Sequence, residues 1–120
     1  MEIITHHVNN QKLAEIKSNK VIVKNHEDSL QILGDMYYSG YDGIILYSES
    51  LTPQFFDLKT GFAGEMLQKF STYRLKLFII GQFDLTSSES LKAFIIESNN
   101  GNLINFNPTL EDLINSTNLN

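Results

Sequence analysis

The sequence contains no cysteine, and this absence excludes several kinds of chemistry together. Without a thiol the chain cannot form a disulfide framework, use a thiolate nucleophile or build a zinc ribbon. Long apolar runs are also missing, because none approaches the roughly 18 residues that a membrane-spanning helix needs. The first seven residues, MEIITHH, lack the basic start and long apolar core of a signal peptide. These absences predict a cytoplasmic protein without a membrane partner.

Positive charge is scarce and dispersed. The chain has nine lysines and arginines against fourteen acidic residues, which gives a net charge of −5 at pH 7. The basic residues are scattered along the sequence, whereas nucleic-acid binding needs a clustered positive field. We therefore predict that nucleic acid is not a partner.

Established catalytic and metal-binding motifs are also missing. Ser48 and Ser50 lack the Gly-x-Ser-x-Gly pattern of a nucleophile elbow, and no glycine-rich phosphate loop is present. The histidines are His6, His7 and His26. Adjacent residues of a strand point to opposite faces, so His6 and His7 are poorly placed to hold one metal ion. The sequence thus predicts no metal site, no cofactor and no assignable catalytic residue.

The composition is that of an ordinary globular protein. Hydrophobic residues make up 42% of the 120 residues and charged residues 19%, which excludes a disordered or fibrous chain. This length fits one domain over residues 1–120. Twelve asparagines stand out, and because they form no repeat or linker we interpret them as compositional bias.

The N-terminal part predicts a hairpin followed by a helix. Residues 2–8 and 11–17 are extended runs joined by Asn9-Asn10, and asparagine tolerates the positive φ angles of a tight turn. Residues 21–23, Val-Ile-Val, are a candidate third strand. Asn25 is then placed to cap a helix.

Two largely apolar runs predict the centre of the fold. Residues 44–47 and 75–80 lack alternation of polar and apolar residues, which is typical of adjacent strands covered on both faces in a parallel sheet. Further elements are expected as a helix at 61–71, a helix opened by the capping-box pattern Thr86-Ser87-Ser88-Glu89, a strand at 103–106 and a helix from Thr109. The order β-β-β-α-β-α-β-α-β-α predicts an α/β fold: a mixed sheet with an N-terminal β-hairpin and helices packed against it.

The order of segments from Tyr41 onward carries a resemblance. A buried strand at 43–47 is followed at 56–61 by a segment with an Asp and a Thr-Gly pair, and this segment leads into a helix. A Pro-Thr-Leu-Glu-Asp turn at 108–112 opens the last helix. This order resembles the STAS domain, the fold of bacterial anti-sigma-factor antagonists. The resemblance implies a STAS-like fold and a protein-interaction or regulatory role.

A narrower resemblance covers nearly the whole chain. The segment FFDLKTGFAGEMLQKF at residues 55–70 looks like the signature of a bacterial family, domain-of-unknown-function family 4180. This resemblance implies a bacterial origin and brings no activity with it.

The candidate site is the polar segment Asp57, Lys59, Thr60 and Gly61 with the following Glu65. It precedes a helix N-terminus, where free N–H groups and the helix dipole favour an anion. In one interpretation Thr60 caps the helix, Gly61 gives a tight entry and Asp57 ties the loop. In the other, Thr60 is a phosphorylation switch, or Lys59 and Thr60 contact an anion or a partner. Glu65 is a surface side chain favoured by the dipole, or pairs with Asp57.

These observations favour a STAS-like protein-interaction or regulatory module over an enzyme. Its partner is expected to be another protein, with a homodimer as a further arrangement. The alternative is a small-ligand-binding protein or an enzyme that uses a cleft near Asp57, Lys59 and Glu65. The sequence shows no nucleophile–base pair, although such groups can assemble from distant positions.

Overall fold

A computed structural model describes residues 1–83 and 88–117, with the backbone alone for Thr117. The strands are β1 (Glu2–Val8), β2 (Gln11–Lys17), β3 (Gly43–Tyr47), β4 (Lys76–Ile80) and β5 (Ile104–Asn107). The helices are α1 (His26–Tyr38), α2 (Phe62–Tyr73), α3 (Glu89–Asn99) and α4 (Leu110–Thr117). Three short 3-10 helices, Ser48–Ser50, Pro53–Phe55 and Leu58–Thr60, lie between β3 and α2. No helix among the described residues is long and apolar enough to cross a membrane.

The described strands form one five-stranded sheet in the order β1-β2-β3-β4-β5. β1 and β2 are antiparallel, with Val8 opposite Gln11, and the other neighbouring pairs are parallel. The two residues of the hairpin turn, Asn9 and Asn10, have φ angles of 55° and 66°. Two positive φ angles suit a two-residue hairpin turn, so the predicted hairpin is confirmed.

The two apolar runs form the central strands, as predicted. β3 and β4 are parallel neighbours, and Ile44 pairs with Leu77. Each has a second strand on its other side, and the side chains from Ile44 to Leu46 are fully buried. Both faces of β3 are therefore covered, which explains the continuous apolar run.

Helices cover the two faces of the sheet unequally. Ile44 and Leu46 point to the face where α1, α2 and α3 contribute Leu33, Met66 and Ile95 to one apolar core. On the opposite face, Ile45 packs with residues that include Leu113 of α4. Successive strand residues point to opposite faces, so the mixed α/β sheet has three helices on one face and the short α4 on the other.

Residues 21–23 do not form the expected third strand. Val23 makes an isolated parallel bridge with Leu51, and Ile22 and Val23 donate their N–H groups to the carbonyl of Ser50. The physical reason is that β2 already has β1 and β3 as neighbours, so no free edge lies beside it. The prediction of a sheet strand here was wrong, and the observed order is β-β-α-β-α-β-α-β-α.

The helix starts follow the expected capping chemistry with one shift. Asn25 accepts a hydrogen bond from the N–H of Asp28 at 2.8 Å and caps α1, as predicted. α3 is capped by Ser88, whose hydroxyl accepts from the N–H of Leu91 at 3.1 Å, so the predicted capping box was misplaced. Its members Thr86 and Ser87 lie outside the described residues.

Candidate functional site

The predicted site folds into a compact polar turn before α2. The Asp57 carboxylate accepts the N–H of Lys59 at 3.3 Å and caps the 3-10 helix Leu58–Thr60. The Thr60 hydroxyl lies 2.8 Å from the carbonyl of Gln54 and 2.9 Å from that of Asp57, and it can donate to either. The same oxygen accepts the N–H of Phe62 at 3.2 Å. Thr60 is thus tied on both sides, and its hydroxyl holds the turn against the first residue of α2.

Gly61 occupies the N-cap position of α2. Its φ of 75° and ψ of 0° lie in the left-handed region that glycine adopts at little cost. No heavy atom lies within 4 Å of where a Cβ would stand, so conformation rather than space makes glycine favourable here. Its carbonyl accepts the N–H of Glu65 at 3.1 Å and completes the first helical turn.

Glu65 reaches a residue that the sequence interpretation did not connect with it. Its carboxylate lies 3.0 Å from Nε2 of His26, the first residue of α1. The His26 ring also stacks on Phe62 with 4.3 Å between ring centroids and 14° between ring planes. The first turns of α1 and α2 therefore meet at the surface. We call the exposed set around them the helix-start surface: Asp57, Lys59, Thr60, Gly61, Glu65 and the half-buried His26.

The helix-start surface does not assemble the acid–base pair considered from the sequence. Asp57 is engaged with its own turn and Glu65 with His26. Neither a cavity of about 700 Å³ on the α4 side of the sheet nor two smaller cavities beside Phe83 are lined by Asp57, Lys59 or Glu65. The carboxylates of Asp57 and Glu65 therefore lie apart from these cavities.

A second polar cluster lies inside the sheet and was missed from the sequence. Glu15 of β2 is only 2% exposed and has a partner on each side. Its Oε1 lies 2.8 Å from Nε2 of His6 on β1, and its Oε2 accepts the hydroxyl of Tyr47 on β3 at 2.5 Å. A usable signal was the single acidic residue within the apolar stretch of β2, opposite a histidine-bearing strand. The cluster links three neighbouring strands.

The cluster shifts the acidity of two of its members. Burial acts to raise the pKa of Glu15, but the hydrogen bonds from Tyr47 and His6 outweigh burial and lower that pKa below its ordinary value. For Tyr47, burial, the hydrogen bond to Glu15 and the nearby negative charges act together and raise the pKa to about 12. The stable form at neutral pH is an ionised Glu15 beside a neutral Tyr47.

The largest of the three cavities has a volume of about 700 Å³ and lies on the α4 side of the sheet. We call it the amide cavity, because six of the twelve asparagines line it: Asn9, Asn99, Asn100, Asn102, Asn105 and Asn107. Gln11 and Lys76 also line it, and Phe78 and Leu113 supply apolar surface. The interpretation of the asparagines as compositional bias overlooked this grouping. The two other cavities, of about 380 and 370 Å³, are both bordered by Phe83.

The comparison with protein families identifies a family for this chain. A family model described as a domain of unknown function, DUF4180, matches residues 8–116. The chain belongs to this family. The match spans β2 to α4 and so includes the helix-start surface, Glu15 and the amide cavity. No curated protein and no solved structure matches the chain. Among the described residues, no group of three His, Asp or Glu side chains is arranged to hold a metal ion.

Proposed function

We propose that the chain is a STAS-like regulatory module of bacterial signalling that binds another protein through the helix-start surface. One observation carries the proposal: Asp57, Lys59, Thr60 and Gly61 are exposed in one turn held by its own hydrogen bonds, and Glu65 is exposed in the first turn of α2 beside it. An exposed surface that is already ordered loses less conformational entropy when a partner binds. The order of strands and helices after the hairpin supports the STAS-like interpretation.

Thr60 is the proposed control point of this surface. Phosphorylation adds up to two negative charges and removes the hydroxyl hydrogen. The turn then loses the hydrogen bond that Thr60 donates to the carbonyl of Gln54 or Asp57. The N-terminus of α2 favours the added charge, so the phosphate is tolerated while the turn rearranges. The consequence is a change in partner affinity without loss of the fold.

The remaining parts of the proposal follow from charge and composition. The net charge of −5 and the dispersed basic residues favour a protein partner over nucleic acid or a membrane. The proposal takes residues 1–120 as one cytoplasmic domain that works without a cofactor.

A second copy of the chain is the other candidate partner. β1 lies at the edge of the sheet and pairs with β2 on one side only. Such an edge leaves backbone N–H and C=O groups open to another strand. Sedimentation velocity over a concentration series tests this arrangement, because a β1-mediated dimer dissociates on dilution whereas a monomer sediments unchanged.

Quantitative affinity purification from the native bacterial host tests the protein-binding proposal. The baits are wild type, Thr60→Glu and Lys59→Glu, with Thr72→Glu and Lys69→Glu as matched controls. Thr72 lies at the other end of α2, and its hydroxyl also donates to a backbone carbonyl, that of Gln68 at 2.9 Å. We expect a co-purifying protein that the wild type and both controls retain and that both surface variants lose. Equal recovery on every bait contradicts the proposal.

A further inference from the structure

We propose that the amide cavity binds a small hydroxyl-rich compound, such as a sugar or a sugar acid. The cavity lies at the amino-terminal ends of the parallel strands, where Gln11, Lys76 and Asn105 face α4. Its volume of about 700 Å³ falls in the range of small-molecule sites. This site is independent of the helix-start surface and adds a ligand to the proposed regulatory module.

The walls of the cavity carry side-chain amides whose hydrogen-bonding groups are available. Within the described part of the chain, the side chains of Asn100, Asn102, Asn105 and Asn107 make no hydrogen bond to the protein. Asn105 and Asn107 belong to β5 and are half-buried, so they are partly withdrawn from solvent. A partly withdrawn polar group gains most from a ligand that replaces the water it has lost.

The amide chemistry selects the class of ligand. Each side-chain amide offers two hydrogens and an acceptor oxygen but no charge. A hydroxyl group both donates and accepts, so it can satisfy either end of an amide. A flat aromatic ligand fits less well, because Phe78 and Phe106 are only 3% and 5% exposed and present no ring face for stacking. Several hydroxyl groups on a compact compound match this wall best.

The positive charge of Lys76 makes sugar acids, as well as neutral sugars, suitable ligands for the cavity. Lys76 lines the cavity, and no Asp or Glu among the described residues does so. A carboxylate on the ligand can therefore pair with the Lys76 ammonium without meeting a like charge. The cavity offers no such partner to a cationic ligand.

The walls are fixed before any ligand arrives. Asn99 donates its Nδ2 hydrogen to the carbonyl of Phe106 at 3.2 Å and accepts the N–H of Phe106 at 2.6 Å. This pair of bonds fastens the end of α3, and with it the loop that carries Asn100 and Asn102, to the outer edge of β5. The opposite wall is anchored by Leu113, which is 1% exposed. Fixed walls reduce the entropy lost on binding.

The side-chain NH₂ signals of asparagine and glutamine in ¹H–¹⁵N NMR spectra provide a direct test. The probes are glucose, gluconate and acetate, added to the full chain. We expect glucose or gluconate to produce saturable shifts in the NH₂ signals of Asn102, Asn105 and Gln11. The exposed Asn19, which lies outside the cavity, serves as the internal control and should not shift. Acetate can pair with Lys76 but offers no hydroxyl group, so it should shift these signals less than gluconate does.

Two variants connect the shifts to the amides. We expect Asn105→Ala and Asn102→Ala each to weaken probe binding about five-fold to ten-fold, the effect of one lost hydrogen bond, and Asn19→Ala to leave it unchanged. Asn102 is exposed on a loop, so its variant remains informative if Asn105→Ala does not fold. Three results overturn the proposal: no saturable shift with either sugar probe, equal shifts with acetate, or equal weakening by Asn19→Ala.

Discussion

Tyr47 donates its hydroxyl hydrogen to Oε2 of Glu15 over 2.5 Å, so a tyrosine of β3 is bound to a buried carboxylate of β2. The other oxygen of Glu15 meets His6 of β1 at 2.8 Å. The hairpin is thereby tied to the parallel part of the sheet by side chains as well as by the backbone ladder. We therefore expect the cluster of Glu15, His6 and Tyr47 to stabilise the fold, and its disruption to lower the free energy of unfolding.

Replacing Tyr47 by Phe should lower the free energy of unfolding by about 1–3 kcal/mol, because it leaves a buried oxygen of Glu15 without its donor. Urea unfolding at neutral pH measures the effect. Tyr38→Phe is the matched control, since Tyr38 is 86% exposed and its change should stay within about 0.5 kcal/mol. If both substitutions change the free energy of unfolding equally, the Tyr47–Glu15 hydrogen bond does not stabilise the fold.

Stability should depend on pH in two windows. The pKa of Glu15 is lowered in the folded protein, so the unfolded chain takes up the proton first as pH falls. The contribution of Glu15 is therefore present above its unfolded pKa of about 4.3 and is lost as pH falls through the lower folded value. Glu15→Gln should flatten this acid dependence in urea unfolding followed across pH. If the free energy of unfolding of Glu15→Gln falls with pH as steeply as that of wild type, other carboxylates cause the acid dependence.

The alkaline window has the opposite sign. The pKa of Tyr47 is raised to about 12, whereas the unfolded tyrosine titrates near 10. The unfolded chain loses this proton first, so the Tyr47 contribution is complete below about pH 10 and is lost as pH rises towards 12. Tyr47→Phe should remove that part of the decline in unfolding free energy. A decline of the same steepness in Tyr47→Phe and wild type would assign it to other groups.

Gly61 and Gly64 should respond oppositely to the same substitution. Gly61→Ala forces a Cβ into the left-handed region and should destabilise by about 1–2 kcal/mol. Gly64→Ala lies within α2 with no heavy atom near the added Cβ, so it should stabilise by up to about 1 kcal/mol. Thermal and urea unfolding measure both changes. A destabilising Gly64→Ala would point to a close approach that the described residues do not show.

Thr60 should behave as a structural hydroxyl in the isolated protein. Thr60→Ala removes its bonds to the turn and to the N–H of Phe62 and should cost about 1 kcal/mol. Thr60→Ser keeps the hydroxyl and should restore most of that loss. The free energies of unfolding of the three proteins decide this. If Thr60→Ser and Thr60→Ala lower the free energy of unfolding equally, the methyl group of Thr60 rather than its hydroxyl stabilises the turn.

Local chemistry made much of the fold predictable. The Asn9-Asn10 pair predicted the hairpin because few residues accept two positive φ angles, and the apolar runs predicted β3 and β4 because only central strands are covered on both faces. Residues 21–23 have strand-forming side chains, but they meet Ser50 and Leu51 after β3 and not an open edge of the sheet, and which partner a segment meets is a tertiary property. The wrong strand prediction follows from that difference.

The site was predictable only where it is continuous in sequence. Residues from Asp57 to Gly61 form one turn, so their grouping followed from adjacency. The contact of His26 with Glu65 requires two helices to pack side by side, and Glu15 meets His6 and Tyr47 at separations of 9 and 32 residues. The amide cavity likewise depends on β5 facing α4. Of these arrangements only the Glu15 cluster has a signal along the chain, the lone acidic residue in the apolar stretch of β2, and that signal does not identify its partners.

The central claim, that the helix-start surface binds a protein under control of Thr60, is tested most directly by one affinity comparison. Isothermal titration of the co-purifying protein should be made against wild type, Thr60→Glu and Thr72→Glu, after melting curves show that each is folded. We predict that the dissociation constant of Thr60→Glu is larger than that of wild type by about ten-fold or more, a loss of about 1.4 kcal/mol of binding free energy. The dissociation constant of Thr72→Glu should stay near the wild-type value. Equal dissociation constants for all three proteins would contradict the account and leave Thr60 as a helix-entry residue alone.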